Sequence, residues 1–342
     1  MLDGGSEGSL ALLVVVVFFA LAFAFTNGIN DAANAIATAV GTRVLSPRAA
    51  VTMAGVFNFA GAATGIAVAK TIGKGILGDA LLGTGDEVAW VLIAALAAIV
   101  IWGLLCTRYG LPISLSHGLV AGLVGAGVAT FGWDVIDWSI LRKVLAAVAI
   151  APAVGFGGGF IVMAALMWIF RRSTPASMRS IFGNLQVLSS AFMSYSHGKN
   201  DGQMPIGVIT VALVYYNNDP TLWDGIPWWV IGVSAATISL GTAFGGWRVM
   251  HTLGSKITTL RHVHGFAAQS SAAAVIETAS NFGIPVSTTH CISSSIMGVG
   301  ATRRLSAVRW GVAGNMVAAW IITFPVCGVL GYLLGWVFKT SF

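Results

Sequence analysis

Asn27-Gly28-Ile29-Asn30-Asp31-Ala32 and His197-Gly198-Lys199-Asn200-Asp201-Gly202 share the pattern x-Gly-x-Asn-Asp-small, with Asp31 and Asp201 standing 170 residues apart. A second pair of segments, Gly110-Leu111-Pro112-Ile113-Ser114-Leu115-Ser116-His117 and Gly283-Ile284-Pro285-Val286-Ser287-Thr288-Thr289-His290, repeats with its histidines 173 residues apart. Both spacings are close to half of the 342-residue chain. Two independent motifs at nearly one spacing read as an internal duplication. The expected organisation is a first repeat over residues 1–170, a short basic connection over 171–180 and a second repeat over 181–342.

The setting of the repeats is a lipid bilayer. Hydrophobic residues make up 56% of the chain and charged residues 9%, against about 25% charged in soluble domains. The stretches Leu10 to Phe25, Val88 to Cys106, Val144 to Phe170, Ile226 to Gly246 and Val308 to Phe338 are almost entirely apolar. Each is about as long as the roughly 20 residues that cross a bilayer as helix. An acidic start without a basic n-region marks Leu10 to Phe25 as a membrane helix rather than a cleaved signal. Cys106, Cys291 and Cys327 have no metal-ligand spacing and read as packing residues. The net charge of +6 reports orientation here, not a nucleic-acid surface.

Basic residues fall in connections that hold no acid: Arg43 and Arg48; Arg108; Arg171, Arg172 and Arg179; Arg248, Lys256 and Arg261; Arg303, Arg304 and Arg309. The excess of Lys and Arg in cytoplasmic loops places these connections inside. Connections bearing Asp3 and Glu7, Asp79, Asp86 and Glu87, Asp134 and Asp137, and Asp219 and Asp224 are then external, as are both termini. Spans are expected at Leu10–Thr42, Ala49–Ala69, a pair around Arg108, Val144–Phe170, Ile181–Leu213, Ile226–Gly246, a pair around Gly283, and Val308–Phe338. On this map the first Asn-Asp motif lies on an inward-running helix and the second on an outward-running one. The fold class expected is an all-α polytopic membrane protein of two inverted repeats, each with a broken helix and a helical, re-entrant hairpin. That architecture belongs to secondary transporters.

The motifs carry two kinds of chemistry. Asp31 and Asp201 sit inside apolar stretches, where a charge costs several kcal/mol and marks an ion path or substrate site. With Asn27, Asn30, Asn34 and Asn200 they offer the carboxylate and amide oxygens that hard cations prefer. Gly28 and Gly198 are expected to let the helix unwind there and free backbone carbonyls. A sodium ion or a protonatable carboxylate fits this set, and no other metal or cofactor is expected. Ser114 and Ser116, and Ser287, Thr288 and Thr289, follow a Gly-x-Pro break where a new helix starts. Ser and Thr there commonly cap the helix, and the same N-terminus is an anion site. Two such hydroxyl-rich tips can grip an oxyanion from both sides. His117 and His290 read as structural, and His262 and His264 as solvated. Glu277 faces the second hairpin, where it either neutralises Lys199 or carries a proton. Trp90, Trp133, Trp138, Trp223, Trp228 and Trp229 read as an interfacial belt.

At these residues the sequence resembles the inorganic phosphate transporter family, known as PiT. Gly28-Ile29-Asn30-Asp31-Ala32-Ala33-Asn34-Ala35 is very similar to its Gly-x-Asn-Asp-x-x-Asn-Ala signature. Gly198-Lys199-Asn200-Asp201-Gly202-Gln203 looks like the second-half version, and the hairpin tips match as well. The resemblance spans nearly the whole chain. It implies cation-coupled phosphate uptake, with Asp31, Asp201, Asn27, Asn30, Asn34 and Asn200 at cation sites. On the phosphate it implies Ser114, Ser116, Ser287, Thr288, Thr289 and Gln203, together with both aspartates. Leu115 departs from the family pattern, which has Thr there. The Arg171–Arg179 connection is short, where some members carry a large soluble domain.

The function expected is a symporter, not an enzyme, importing inorganic phosphate with sodium or a proton by alternating access. It sits in the cell membrane, with lipid, phosphate and the coupling cation as partners and a homodimer as a further expectation. Two alternatives stand beside it. A permease for sulfate or another oxyanion would share the fold, and a passive anion channel would use the hydroxyl tips without Asp31 and Asp201.

Overall fold

The computed structural model describes residues 9–75 and 86–341, and all regular structure among them is helical. Asp3, Glu7 and Asp79 of the charge map lie outside the described residues. The helices run α1 (Leu10–Gly41), α2 (Pro47–Ala62), α3 (Ala67–Lys70), α4 (Glu87–Tyr109), α5 (Leu115–Phe131), α6 (Trp138–Ile169) and α7 (Pro175–Asp201). They continue as α8 (Gln203–Asn217), α9 (Trp228–Phe244), α10 (Trp247–His251), α11 (His262–Asn281), α12 (Thr288–Ala301) and α13 (Trp310–Ser341). α1, α4, α6 and α13 are each long and apolar enough to cross a membrane alone. Their outward faces are apolar and exposed, as at Phe18, Ile161, Ile321 and Leu333, which suits contact with lipid. The chain is a multi-pass membrane protein.

Two of the expected single spans are bent. The Ala49–Ala69 span divides into α2 and α3, which with the residues to Lys74 make an angle of 65°. The Ile226–Gly246 span is followed by α10 and a turn to Lys256, bent by 62°. A glycine in the left-handed region sits at each break, Gly65 at φ 99° and Gly245 at φ 69°, a conformation that glycine reaches without steric cost. The breaks expected at Gly28 and Gly198 do not occur. α1 and α7 are continuous through them, because those glycines serve close packing. A Cβ on Gly28 would collide with the Ile238 carbonyl oxygen of α9, and one on Gly198 with the Asn58 carbonyl oxygen of α2.

α4–α5 and α11–α12 form the two hairpins. α4 ends at Gly110 (φ 70°) and α11 runs to the turn at Gly283 (φ 68°), after each of which four residues lead to the next helix. α5 has 17 residues and α12 has 14, so each starts part-way through the molecule. The packing is reciprocal: α1 lies on α9 as α7 lies on α2, and α5 on α13 as α12 on α6. Pro152 of α6 and Pro325 of α13 stand at the spacing of the hairpin histidines.

Two apolar cores result. One gathers Val16, Ala20 and Phe23 of α1 with α3, α4, α5 and α8. The other gathers Ala32 to Ala37 of α1 with α6, α11 and α12. The polar stretch Asn27–Asp31 lies between the two parts of α1, and α7 likewise brings His197–Asp201 to the join. Most of the tryptophans expected in the belt are exposed, Trp228 at 83% among them, but Trp223 is buried at 3%. Its ring fills the space beside Gly73, with Lys74 Nζ 5.7 Å from the ring centre.

Candidate functional site

At the join of the cores, α1, α7, α12 and α5 bring Asp31, Asp201, Asn34, Thr288, Thr289 and Ser116 into one buried cluster. Asp31 is 2% exposed and Asp201 0%. Thr288 Oγ1 lies 3.0 Å from Asp201 Oδ2 and 3.3 Å from Asp31 Oδ2, so its single proton reaches one carboxylate at a time. Thr289 Oγ1 donates to the Ile113 carbonyl at 2.8 Å and lies 3.3 Å from Asp31 Oδ1. Asn34 Nδ2 donates to both hydroxyls, at 3.2 Å to Thr288 and 2.9 Å to Thr289. Ser116 Oγ approaches Asp201 Oδ1 to 3.3 Å from the other hairpin. The two tips thus meet each other and both carboxylates.

Helical spacing puts these groups on one face. Asn27, Asn30, Asp31 and Asn34 recur at three- and four-residue steps on α1, and His197 stands one turn before Asp201 on α7. The helix starts are supplied by Ser114, which accepts from the His117 N–H at 3.3 Å, and Ser287, which accepts from the His290 N–H at 3.1 Å. These two serines therefore cap α5 and α12, and the N-termini they cap point their positive ends at the cluster.

The remaining expected residues surround it. Asn200 Nδ2 donates to Asp201 Oδ1 at 2.6 Å and to the Val286 carbonyl at 2.8 Å, tying the motif to the second hairpin. Asn30 turns aside, its Nδ2 donating to Thr107 Oγ1 of α4 at 2.7 Å. Gln203 Oε1 accepts from the Val68 and Ala69 N–H groups at the start of α3, at 2.8 and 3.3 Å. Asn27 Oδ1, Asn30 Oδ1 and Asn34 Oδ1 are buried without a hydrogen-bond partner, as is Gln203 Nε2. A buried unpartnered oxygen costs about 1–3 kcal/mol, so three on one helix face make a set suited to a bound cation.

Sequence reasoning missed His197. It occupies the place of Asn27 in the second copy of the motif, and that substitution was the signal. Its Nε2 is 3.2 Å from Asp201 Oδ2 and 3.8 Å from Asp31 Oδ2, and its Nδ1 is 2.7 Å from Asn58 Oδ1. Asn58 Nδ2 in turn donates to Thr242 Oγ1 at 2.9 Å. With the Asn58 amide so oriented, its oxygen faces the ring and Nδ1 carries the proton. Nε2 then faces two carboxylate oxygens, an arrangement that needs a proton or a cation between them. One ligand atom from each of Asp31, His197 and Asp201 lies within 4.8 Å of the others.

The hairpin histidines are packed, as expected. His117 and His290 lie with ring centres 5.0 Å apart, flanked by Phe324 and Trp320. The expectation that His262 and His264 are solvated fails for His264, while His262 is half-buried. His264 is buried at 6% and its Nδ1 accepts from the Arg261 N–H. His262 reaches the Thr42 and Arg179 carbonyls at 3.3 Å. Both pin the start of α11. Leu115, at the place of Thr288 in the first hairpin, is fully buried against Gly103, so that tip reaches Asp201 through Ser116 alone.

Comparison with known proteins gives a consistent picture. The model of the phosphate transporter family matches residues 27–181 and 171–331. A probable low-affinity inorganic phosphate transporter of Rhizobium meliloti (strain 1021) is 44% identical over 326 residues, covering 94% of this chain and 95% of that protein. One of Bacillus subtilis (strain 168), of the same description, is 40% identical over 333 residues, covering 97% and 99%. A solved structure, the sodium-dependent phosphate transporter, matches with a TM-score of 0.88 at 27% identity, over 97% of this chain and 100% of that one. These relatives are named as transporters, not enzymes, and with a family model covering most of its length this chain belongs to the phosphate transporter family.

Proposed function

We propose that the protein is a symporter that imports inorganic phosphate with sodium, binding both at the join of α1, α7 and the two hairpin tips. The observation that carries this is the meeting of Asp31 and Asp201 with Thr288, Thr289 and Ser116. Hydroxyls and helix N-termini favour an oxyanion, while two carboxylates repel one. At 4 Å, two like charges repel by about 4 kcal/mol at an effective dielectric of 20. Phosphate can occupy such a place only with a cation beside it, and that mutual dependence is the thermodynamic content of coupling. A phosphate hydroxyl can also donate to Asp31 or Asp201, which fully ionised sulfate cannot do.

Sodium is favoured over the proton by the unpartnered amide oxygens of Asn27, Asn30 and Asn34, and by the likeness to a transporter described as sodium-dependent. Asp31, Asp201, Asn200 and the three α1 asparagines would serve the cation. The hairpin hydroxyls, including those of Ser114 and Ser287, would serve phosphate with Gln203. The reciprocal packing of α1 on α9 and α7 on α2 supports two inverted repeats, residues 1–170 and 181–342, that rock about the site. The basic connections support cytoplasmic inner loops and external termini in a cell membrane.

Proteoliposomes with sodium and pH gradients imposed independently test the reading. Accumulation of labelled phosphate should follow the sodium gradient, and Asp31→Asn and Asp201→Asn should each lower it by about tenfold or more, the scale of losing one charge-assisted contact. Accumulation driven by the pH gradient alone would replace sodium by the proton. Equilibration without accumulation would mean a channel.

A further inference from the structure

Lys199 lies inside the repeated motif, two residues before Asp201, yet its side chain leaves the carboxylate cluster. Its ammonium pairs with Glu277 of α11, donates to Asn281 Oδ1 at 2.7 Å, and sits 6.0 Å from the centre of the Tyr195 ring. Among the described residues it is the one lysine or arginine paired with a carboxylate. The two side chains are 14% and 22% exposed, so the pair is open at one side and not sealed in the core. Glu277 Oε2 has no hydrogen-bond partner.

The pair borders the substrate cluster on two sides. Ser280, on the same α11 turn as Glu277, donates to Asn200 Oδ1 at 3.2 Å. At the α2–α3 break, a Cβ placed on Gly65 would lie 3.2 Å from Gln203 Nε2 and 3.8 Å from Lys199 Cε. The lysine stem and the unpartnered Gln203 amide therefore face one gap. Beside it, Thr64 Oγ1 and the Tyr195 hydroxyl are 2.8 Å apart and exposed.

Stability does not explain the pair. A half-buried ion pair is typically no more stable than apolar residues of the same volume, because the ions lose hydration. The repeat spacing sets Ile29 opposite Lys199 and Leu104 opposite Glu277 in the first half, so the other repeat manages without these charges. The asymmetry leaves one cation without a counterpart in the first repeat, at one end of the buried cluster. In the orientation set by the basic connections, that end faces outward.

We propose that Lys199 is an anion-capture residue at the outer mouth of the site. Its ammonium, held by Glu277 when phosphate is absent, exchanges that carboxylate for a phosphate oxygen and passes the anion to Gln203 and the hairpin hydroxyls. Glu277 is the internal competitor that keeps the capture reversible. The inference rests on phosphate being the substrate, but not on symport or on the identity of the cation.

The two partners make opposite predictions, and a strut does not. In purified protein, Lys199→Gln should weaken binding of labelled inorganic phosphate by about tenfold, the loss of one charge-assisted contact. Glu277→Gln should tighten it, since the freed ammonium no longer has a competing carboxylate, and Lys199→Arg should stay close to the unaltered protein. If both neutral variants weaken binding, or if Lys199→Gln leaves it unchanged, the proposal is overturned. A second measurement needs no variant: phosphate should slow acetylation of Lys199 in the unaltered protein, read by mass spectrometry. Absence of protection at saturating phosphate overturns it equally. Protection without accumulation in proteoliposomes would reject symport and leave Lys199 in its role.

Discussion

At the scale of the residue, His197 is the group through which the two halves of the site meet. Its Nε2 faces Asp31 and Asp201 while Nδ1 is held through Asn58 by Thr242, so one ring connects α1, α2, α7 and α9. Replacing it by Gln keeps a donor but loses the ability to address a carboxylate and Asn58 at opposite edges of a rigid ring. We expect His197→Gln to lower phosphate uptake by about tenfold, again the scale of one charge-assisted contact, with the half-saturating sodium concentration raised; unchanged sodium dependence would remove His197 from the site. Asp31, Asp201 and Asn34 were legible in the sequence because a carboxylate in an apolar run has few uses other than function. His197, Asn58 and Thr242 were not, because a lone polar residue in such a run reveals no partner until α2, α7 and α9 are packed. Ser114 and Ser287 were legible only as cap or ligand; each caps its helix by accepting an N–H, a role that leaves the hydroxyl proton free to donate.

At the scale of the element, close helix contacts set the positions of the site residues. Gly198 lets α7 lie against the Asn58 backbone, and Gly28 lets α1 lie against Ile238 of α9. Gly198→Ala and Gly28→Ala should each destabilise the protein by about 1–3 kcal/mol, the usual cost of overpacking. Thermal unfolding in detergent measures this, and unaltered midpoints would show that the helices part freely. The start of α6 offers a pH test outside the membrane. Asp137 caps it, accepting from the Ser139 and Ile140 N–H groups at 2.8 and 3.2 Å. These bonds, with the Ser139 hydroxyl foremost, hold its carboxyl below the ordinary value of 3.8. A depressed folded-state value means that the cap is fully present above pH 3.8 and is lost as pH falls below it. Hydrogen-exchange protection at residues 139–141 should fall in that window and be low at all pH values in Asp137→Ala. The sequence missed the bends at Gly65 and Gly245 because short apolar runs look alike whether straight or bent, and because glycine also serves close packing, as it does at Gly28.

At the scale of the whole molecule, the site lies where two apolar cores meet, so filling it ties the cores together. In saturating sodium, phosphate at about a hundred times its dissociation constant should stabilise the protein by about 2.7 kcal/mol beyond sodium alone. Either alone should give much less, and Asp31→Asn should abolish the joint effect. Differential scanning calorimetry reads this directly, and equal stabilisation by phosphate without sodium would uncouple the two. The sequence by itself determined that this chain lies in a bilayer, that it carries the same two motifs twice, and that Asp31, Asp201 and Glu277 are carboxylates inside or beside its apolar stretches. Those conclusions follow from composition and spacing, which need no contacts to be read. Only the tertiary structure decided that the motifs converge, that Gly28 and Gly198 pack rather than unwind, and that His197 stands between the two aspartates. The reason is physical: helix period fixes which side chains share a face, whereas the distance between faces on α1, α7 and the hairpins is set by packing among residues far apart in the chain.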